Sequence, residues 1–256
     1  MHHAAPLTPD ALDEYARQYY LSDAVDDVRI EEQQQALVYR RLARMLEDAD
    51  RVLELGYGTG ISADVLTEAG VPIEIVEGSP LLVDRARTAH PGLVVHESMF
   101  ETFAPGPVFD AVLAMYIAEH VDDPLSLFRT IAEWLRPGGL LIVAVPNAGS
   151  LHRRVAVRMG LQERHDSLSP RDLLLGHQRV YTLAELRSDV ERAGLTVRQE
   201  LGWFLKVLPN SMMLDFGDEL LKGLHTVSEE LPAELMGNVA VVAERVTENP
   251  SGAPDR

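Results

Sequence analysis

Apolar side chains at Leu12, Tyr15 and Tyr19, and again at Ala36, Leu37, Leu42 and Met45, recur at helical spacing among charged neighbours. The pattern predicts helices through residues 10–47, with a break at Leu21-Ser22-Asp23 that can cap the second. From residue 50 the texture changes to short apolar, β-branched runs alternating with amphipathic segments. Residues 51–55, 73–77, 92–98, 109–116 and 140–146 read as strands. Residues 61–70, 79–90 and 123–135 read as helices, the last stopped by Arg136-Pro137-Gly138-Gly139. Buried strands alternating with helices predict a parallel sheet covered on both faces.

After Pro146 the rhythm breaks. Residues 147–181 predict a long, charged, helix-like insertion; 183–193 read as a helix, 197–201 as a strand, 212–230 as helical and 237–244 as a last strand. The expected fold is therefore α/β, a doubly wound, Rossmann-like sheet of seven mostly parallel strands. Residues 1–47 form a helical cap on a body of 48–246, the insertion forms a lid after the fifth strand, and the tail 247–256 reads as disordered.

Composition narrows the class. The chain has 256 residues, 46% of them hydrophobic, enough for one sizeable core. No apolar run reaches about 18 residues, and the first residues lack the apolar centre of a signal peptide. A soluble, cytoplasmic protein without a membrane partner is expected. The absence of cysteine excludes disulfides and thiol catalysis and removes the commonest ligands of structural zinc. A net charge of −17 repels nucleic-acid backbones, and the basic cluster of His152, Arg153, Arg154 and Arg158 is too small to form a track. The expected partner is a small molecule, not a nucleic acid, with a homodimer left open.

The stretch VLELGYGTG, residues 52–60, places glycines at every second position after a strand. A dinucleotide turn needs glycine where Ile61 stands, and a phosphate loop needs a Lys-Ser or Lys-Thr that is missing. What remains is Glu54 followed by Gly56, Gly58 and Gly60. This pattern resembles the first motif of class I S-adenosylmethionine-dependent methyltransferases, and the order of segments from about residue 50 to 146 is similar to theirs.

The resemblance implies S-adenosyl-L-methionine as cofactor and a set of contacts to it. Glu77, ending the second strand and followed by Gly78, would hold the ribose hydroxyls. Ser98, Met99 and Phe100 in HESMF would surround the adenine. Glu54, or a nearby backbone carbonyl, would receive the α-amino group, beside a crest that includes Tyr57. Met115, at the end of FDAVLAM, and Tyr20, in the covering helices, complete the set. Such a family member transfers methyl to an oxygen, or else a nitrogen, of a small metabolite. Related chemistry is the alternative, namely cyclisation or aminocarboxypropyl transfer, as is a non-catalytic binder that retains the fold.

On the acceptor side His120 is the candidate general base. His177 and Tyr181, four apart, join it on one face if their segment is helical. Tyr116, Asn147, His152, Arg179 and Trp203 are the candidate substrate contacts. The ubiquinone-biosynthesis branch carries a Glu-x-x-Glu-His segment that resembles a metal triplet; here the aligned residues are Tyr116, Glu119 and His120, and tyrosine in the first place leads us to expect no metal.

Overall fold

The computed structural model describes residues 8–21 and 28–246. In chain order it contains α1 (Pro9–Tyr19), α2 (Val28–Met45), β1 (Val52–Leu55), α3 (Ile61–Glu68), β2 (Ile73–Glu77), α4 (Pro80–Ala89), β3 (Val94–Glu97) and β4 (Phe109–Met115). There follow α5 (Pro124–Trp134), β5 (Leu135–Pro146), α6 (Leu151–Arg158), α7 (Pro170–Leu174), α8 (Leu183–Arg192), β6 (Thr196–Trp203), α9 (Asp218–Ser228) and β7 (Asn238–Glu244). The break expected at Ser22-Asp23 and the tail 247–256 lie outside the described residues.

Seven strands form one sheet in the order β3-β2-β1-β4-β5-β7-β6. The first five pair in parallel, and β7 runs antiparallel to both β5 and β6. Every residue of β1 is buried, because helices cover both faces. One face packs Val52, Ile75 and Leu113 with Val38, Tyr39 and Leu42 of α2. The other packs Leu53, Val112 and Val143 with Phe128 and Ile131 of α5 and Leu186 of α8. Since α2 shares the core of the sheet, a boundary at residue 47 does not divide two cores.

Strand order reverses between β1 and β4, so the chain leaves these two neighbours in opposite directions. That leaves a crevice beyond their carboxyl ends, the place where ligands bind in open α/β sheets. Local chemistry fixes the elements around it. Pro80 opens α4 behind a Ser79 cap, and Asp123 caps α5 ahead of Pro124. Capping boxes open α7 (Ser169 with Asp172) and α8 (Thr182 with Glu185).

Three stretches differ from the pattern's expectation, the first being β5, which begins at Leu135 and takes in the Arg136–Gly139 segment expected to precede it. The insertion is two short helices, α6 and α7, joined and followed by turns, because Gly160, Pro170 and Gly176 interrupt it. Residues 176–181 are not helical, so His177 and Tyr181 are not helix neighbours. The helix foreseen from residue 212 begins at Asp218, after a 3-10 turn at Asn210–Met212.

Candidate functional site

β1 runs into a crest in which Gly56, Gly58 and Gly60 all have positive φ. At Gly60 (φ +89°) a Cβ would stand 2.5 Å from the Tyr57 hydroxyl, so a side chain there is excluded sterically as well as conformationally. Glu77, at the end of the adjacent β2, reaches across to this crest. Its Oε2 accepts from the Tyr57 amide at 2.9 Å and its Oε1 from the Ser79 amide at 2.7 Å. Burial raises its pKa, and these amides oppose the rise. Each oxygen keeps a lone pair for a further donor.

Above this floor lies α1. Asp13 accepts from the Ser79 hydroxyl and the Leu81 amide, seating α1 on the start of α4. Leu12 and Met99 close over Gly78, where a Cβ would meet each at 2.7 Å. Tyr20 stands beside Gly58. Ser98 bonds the Met99 carbonyl and Thr102, while Phe100 packs toward the α5 side of the sheet. Met115 is buried in the α2-side core. Glu54 is also buried, and its Oε1 accepts from the Tyr39 hydroxyl. Burial pushes its carboxyl up to about 7 against that hydrogen bond.

A cavity of about 660 Å³ opens beside the crest, reaching from Tyr20 and Thr59 to the lid and the loop after β6. Tyr116 (φ +60°) and Phe204 (φ +65°), both on its wall, hold left-handed backbone that bulky residues rarely adopt. Such strain concentrates at functional sites. The Tyr116 hydroxyl accepts from Trp203 Nε1 at 3.1 Å.

The polar end of the cavity brings together Glu119, His120 and His177, whose donor atoms lie within 4.8 Å of one another. The turn after β4 supplies the first two residues and the lid supplies the third. Glu119 is 1% exposed, and neither carboxylate oxygen has a hydrogen-bond partner. Its carboxyl is pushed up to about 8, first by burial. His120 is pulled down to about 4 by burial and by His177, against the pull of the Gly176 carbonyl. His177 Nδ1 lies 3.1 Å from Asp172 Oδ1, so an N–H there leaves Nε2 as an acceptor. Asp172 Oδ2 in turn receives Arg153 and the Ser169 hydroxyl at 2.6 Å each. Burial opposes the charge on Asp172, but the His177, Arg153 and Ser169 contacts outweigh it and hold its carboxyl well below the ordinary range.

His152 also lines the cavity; burial, with Lys206 and Arg153 nearby, pulls it down to about 3, and its buried Nδ1 lacks a partner. Four expected site residues are placed elsewhere. Tyr181 donates to Asp189 and belongs to the core on the far face of the sheet, so it is no part of the catalytic group. The Arg179 guanidinium is spent on the carbonyls of Ala118, Val121 and Asp122, bracing the turn that carries Glu119. Asn147 spends both amide protons on the Glu234 and Met236 carbonyls, accepts from the Gly149 amide, and is buried off the cavity wall. Trp203 stands behind Tyr116 and off the cavity wall. His120 does reach the cavity, but its lowered pKa makes it a weak base and a ready hydrogen-bond acceptor. Asp172 was not foreseen, although Ser169-Pro170-Arg171-Asp172 has the spacing of a helix-capping box.

Comparison with known proteins accords with this geometry. A family model described as a methyltransferase domain matches residues 30–200. A protein of Mycolicibacterium smegmatis named "probable S-adenosylmethionine-dependent methyltransferase" is 30% identical over 66% of this chain and 60% of its own. A ubiquinone biosynthesis O-methyltransferase of Xanthomonas campestris is 33% identical over 41% of this chain and 46% of its own. The matches thus span less than two thirds of these relatives. In fold, the chain is similar to the 1,6-didemethyltoxoflavin-N1-methyltransferase of Burkholderia thailandensis, solved with 1,6-didemethyltoxoflavin and S-adenosylhomocysteine. The TM-score is 0.56 at 17% identity, covering 95% of this chain and 93% of that one.

Proposed function

The chain belongs to the S-adenosylmethionine-dependent methyltransferase family, and on that premise we propose that it transfers a methyl group to an oxygen or nitrogen of a small metabolite held in the 660 Å³ cavity. The observation that carries the reading is the continuity of that cavity with the glycine crest. Its wall runs from Thr59 and Tyr20 to Glu119, His120 and His177 without leaving one space. A fold neighbour bound to S-adenosylhomocysteine and a small acceptor supports the same arrangement.

The cofactor, when bound, supplies an electrophilic methyl on a sulfonium. This chain's residues supply the rest. The crest admits the cofactor's backbone-facing side, and Glu77 is offered for the ribose hydroxyls. Tyr15, Tyr19 and Tyr20 of the α1 region line the cavity, and aromatic rings there favour a cation. His120 and His177 orient the acceptor. Glu119, with a carboxyl near neutral pH, is matched to take up a proton. Most of the rate then comes from positioning and desolvation.

Calorimetry with S-adenosylhomocysteine tests the cofactor half. Glu77→Ala is expected to weaken binding at least tenfold, about 1.4 kcal/mol. Because Glu77 also holds two backbone amides, Glu77→Gln serves as a second variant. Unchanged affinity in both removes the ribose assignment.

A further inference from the structure

We propose that the Glu119–His120–His177 triangle is an ammonium site and that the methyl acceptor is a primary amine docked there by its nitrogen. The inference rests on the methyl-transfer reading above and narrows its acceptor to one class.

Three observations carry it. The first is the donor and acceptor balance. Glu119 presents a carboxyl with two unpartnered oxygens at 1% exposure, protonated while the site is empty and a carboxylate once a cation lies against it. His177, with Nδ1 tied to Asp172, presents Nε2, and His120 adds a third acceptor. A hydroxyl has one proton to give to three acceptors, whereas a primary ammonium has three. Burying a carboxylate without a cation is costly, and among the described residues no cationic side chain donates to this one. Arg179, the nearest in sequence on the lid, is turned onto backbone carbonyls instead.

The second is size. The three atoms lie within 4.8 Å of one another. Hydrogen bonds of about 2.9 Å at tetrahedral angles put their acceptors about 4.7 Å apart. Ligands at about 2.1 Å around a small metal ion stand about 3.4 Å apart. A triangle whose sides reach up to 4.8 Å has room for an ammonium.

The third is the surrounding wall. The Tyr15 ring lies edge-on to His120 at 6.1 Å and clusters with Tyr19 and Tyr20 at 4.5 and 5.6 Å. Together with Tyr116 these rings line the same cavity, and their faces attract organic cations. The chain's net charge of −17 adds a field of the same sign.

Transfer then balances simply. The bound ammonium gives one proton to the Glu119 carboxylate. The freed nitrogen pair forms the N–C bond while the S–C pair leaves with sulfur, yielding an N-methylammonium and a neutral thioether.

The test is calorimetry on the full chain saturated with S-adenosylhomocysteine. Tyramine, phenethylamine and hexylamine are each titrated against the corresponding alcohol. At least one amine is expected to bind tenfold or more tighter than its alcohol. Glu119→Gln is expected to erase that preference while S-adenosylhomocysteine still binds. Glu119→Asp, which keeps the charge but withdraws it, should weaken the preference; the wild-type comparison needs no variant at all. Amines and alcohols bound alike, or no amine bound, overturns the inference. One Zn²⁺ or Mn²⁺ held per chain and lost in Glu119→Gln overturns it in favour of a metal centre. Failure of S-adenosylhomocysteine itself to bind strikes the underlying reading instead.

Discussion

Glu54 and Glu119 share an environment that carboxylates avoid: both are buried, and burial raises their carboxyls to about 7 and about 8 from 4.5. The native state therefore holds protons that the unfolded chain has already lost. By linkage, these two carboxyls contribute stability that is lost as pH rises from about 4.5 to about 8, while the lowered His120 and His152 act the other way up to 6.5, so the net fall in the ligand-free protein comes above 6.5. Asp172 has the opposite sign. Its folded pKa is depressed, so its contribution is complete above the ordinary value of 3.8 and is lost as pH falls below it. Thermal melts across pH 3–8 should thus show a maximum on the acid side of neutrality, and Glu54→Gln should flatten the alkaline fall. A melt that rises steadily to pH 8 contradicts the assignment. At the acceptor end, His120→Ala is expected to lower turnover at least tenfold with S-adenosylhomocysteine affinity unchanged, because His120 lines the cavity away from the crest. Full activity in that variant would remove it from the site.

Elements whose register is set by local chemistry were legible from the pattern alone. The strands from 51 to 116, the 140–146 part of β5, and the helices opened by Ser79-Pro80 and Asp123-Pro124 lie where apolar periodicity and capping put them. So does the glycine crest, since only a positive φ and a close approach explain glycine at Gly60. The lid was legible as an insertion but not in its detail. Which way Arg179, Asn147 and Tyr181 turn depends on carbonyls and carboxylates 8 to 89 residues away, a contact no local spacing encodes. The same long range hid the third side of the triangle, since Glu119 and His120 are adjacent while His177 arrives from the lid. Arg153 shows what holds that arrival in place. It joins α6 to the carbonyls of His165 and Ser167 and to Asp172. Removing one partner of such a buried pair costs about 3 to 5 kcal/mol. Arg153→Ala is accordingly expected to open residues 160–177 locally, seen as faster hydrogen exchange and earlier proteolysis there than in the sheet. Uniform protection across lid and sheet would show that the lid is held by something else.

Charge is divided unevenly over the whole molecule. Acidic residues outnumber Lys and Arg by 40 to 23, yet residues 147–181 hold six arginines against three acids. A basic lid therefore lies on an acidic body. It is stitched down where Gln178 meets the His120 carbonyl and Asp122, and where the Tyr15 hydroxyl meets the Leu175 carbonyl. Salt should act on the two parts with opposite signs. It relieves the self-repulsion of the body, which raises the melting temperature, and it screens the attraction between lid and body, which loosens α6 and α7. Raising NaCl from 20 to 500 mM is expected to raise the global melting temperature by a few degrees, since about 1 kcal/mol moves a domain of this size by roughly 2–4 °C. Over the same range, amide exchange in 151–175 should quicken severalfold. The decisive feature is the opposition: lid and body responding in the same direction would mean that the arginines of the insertion act locally, as Arg153 does on Asp172, and that the uneven charge has no mechanical consequence.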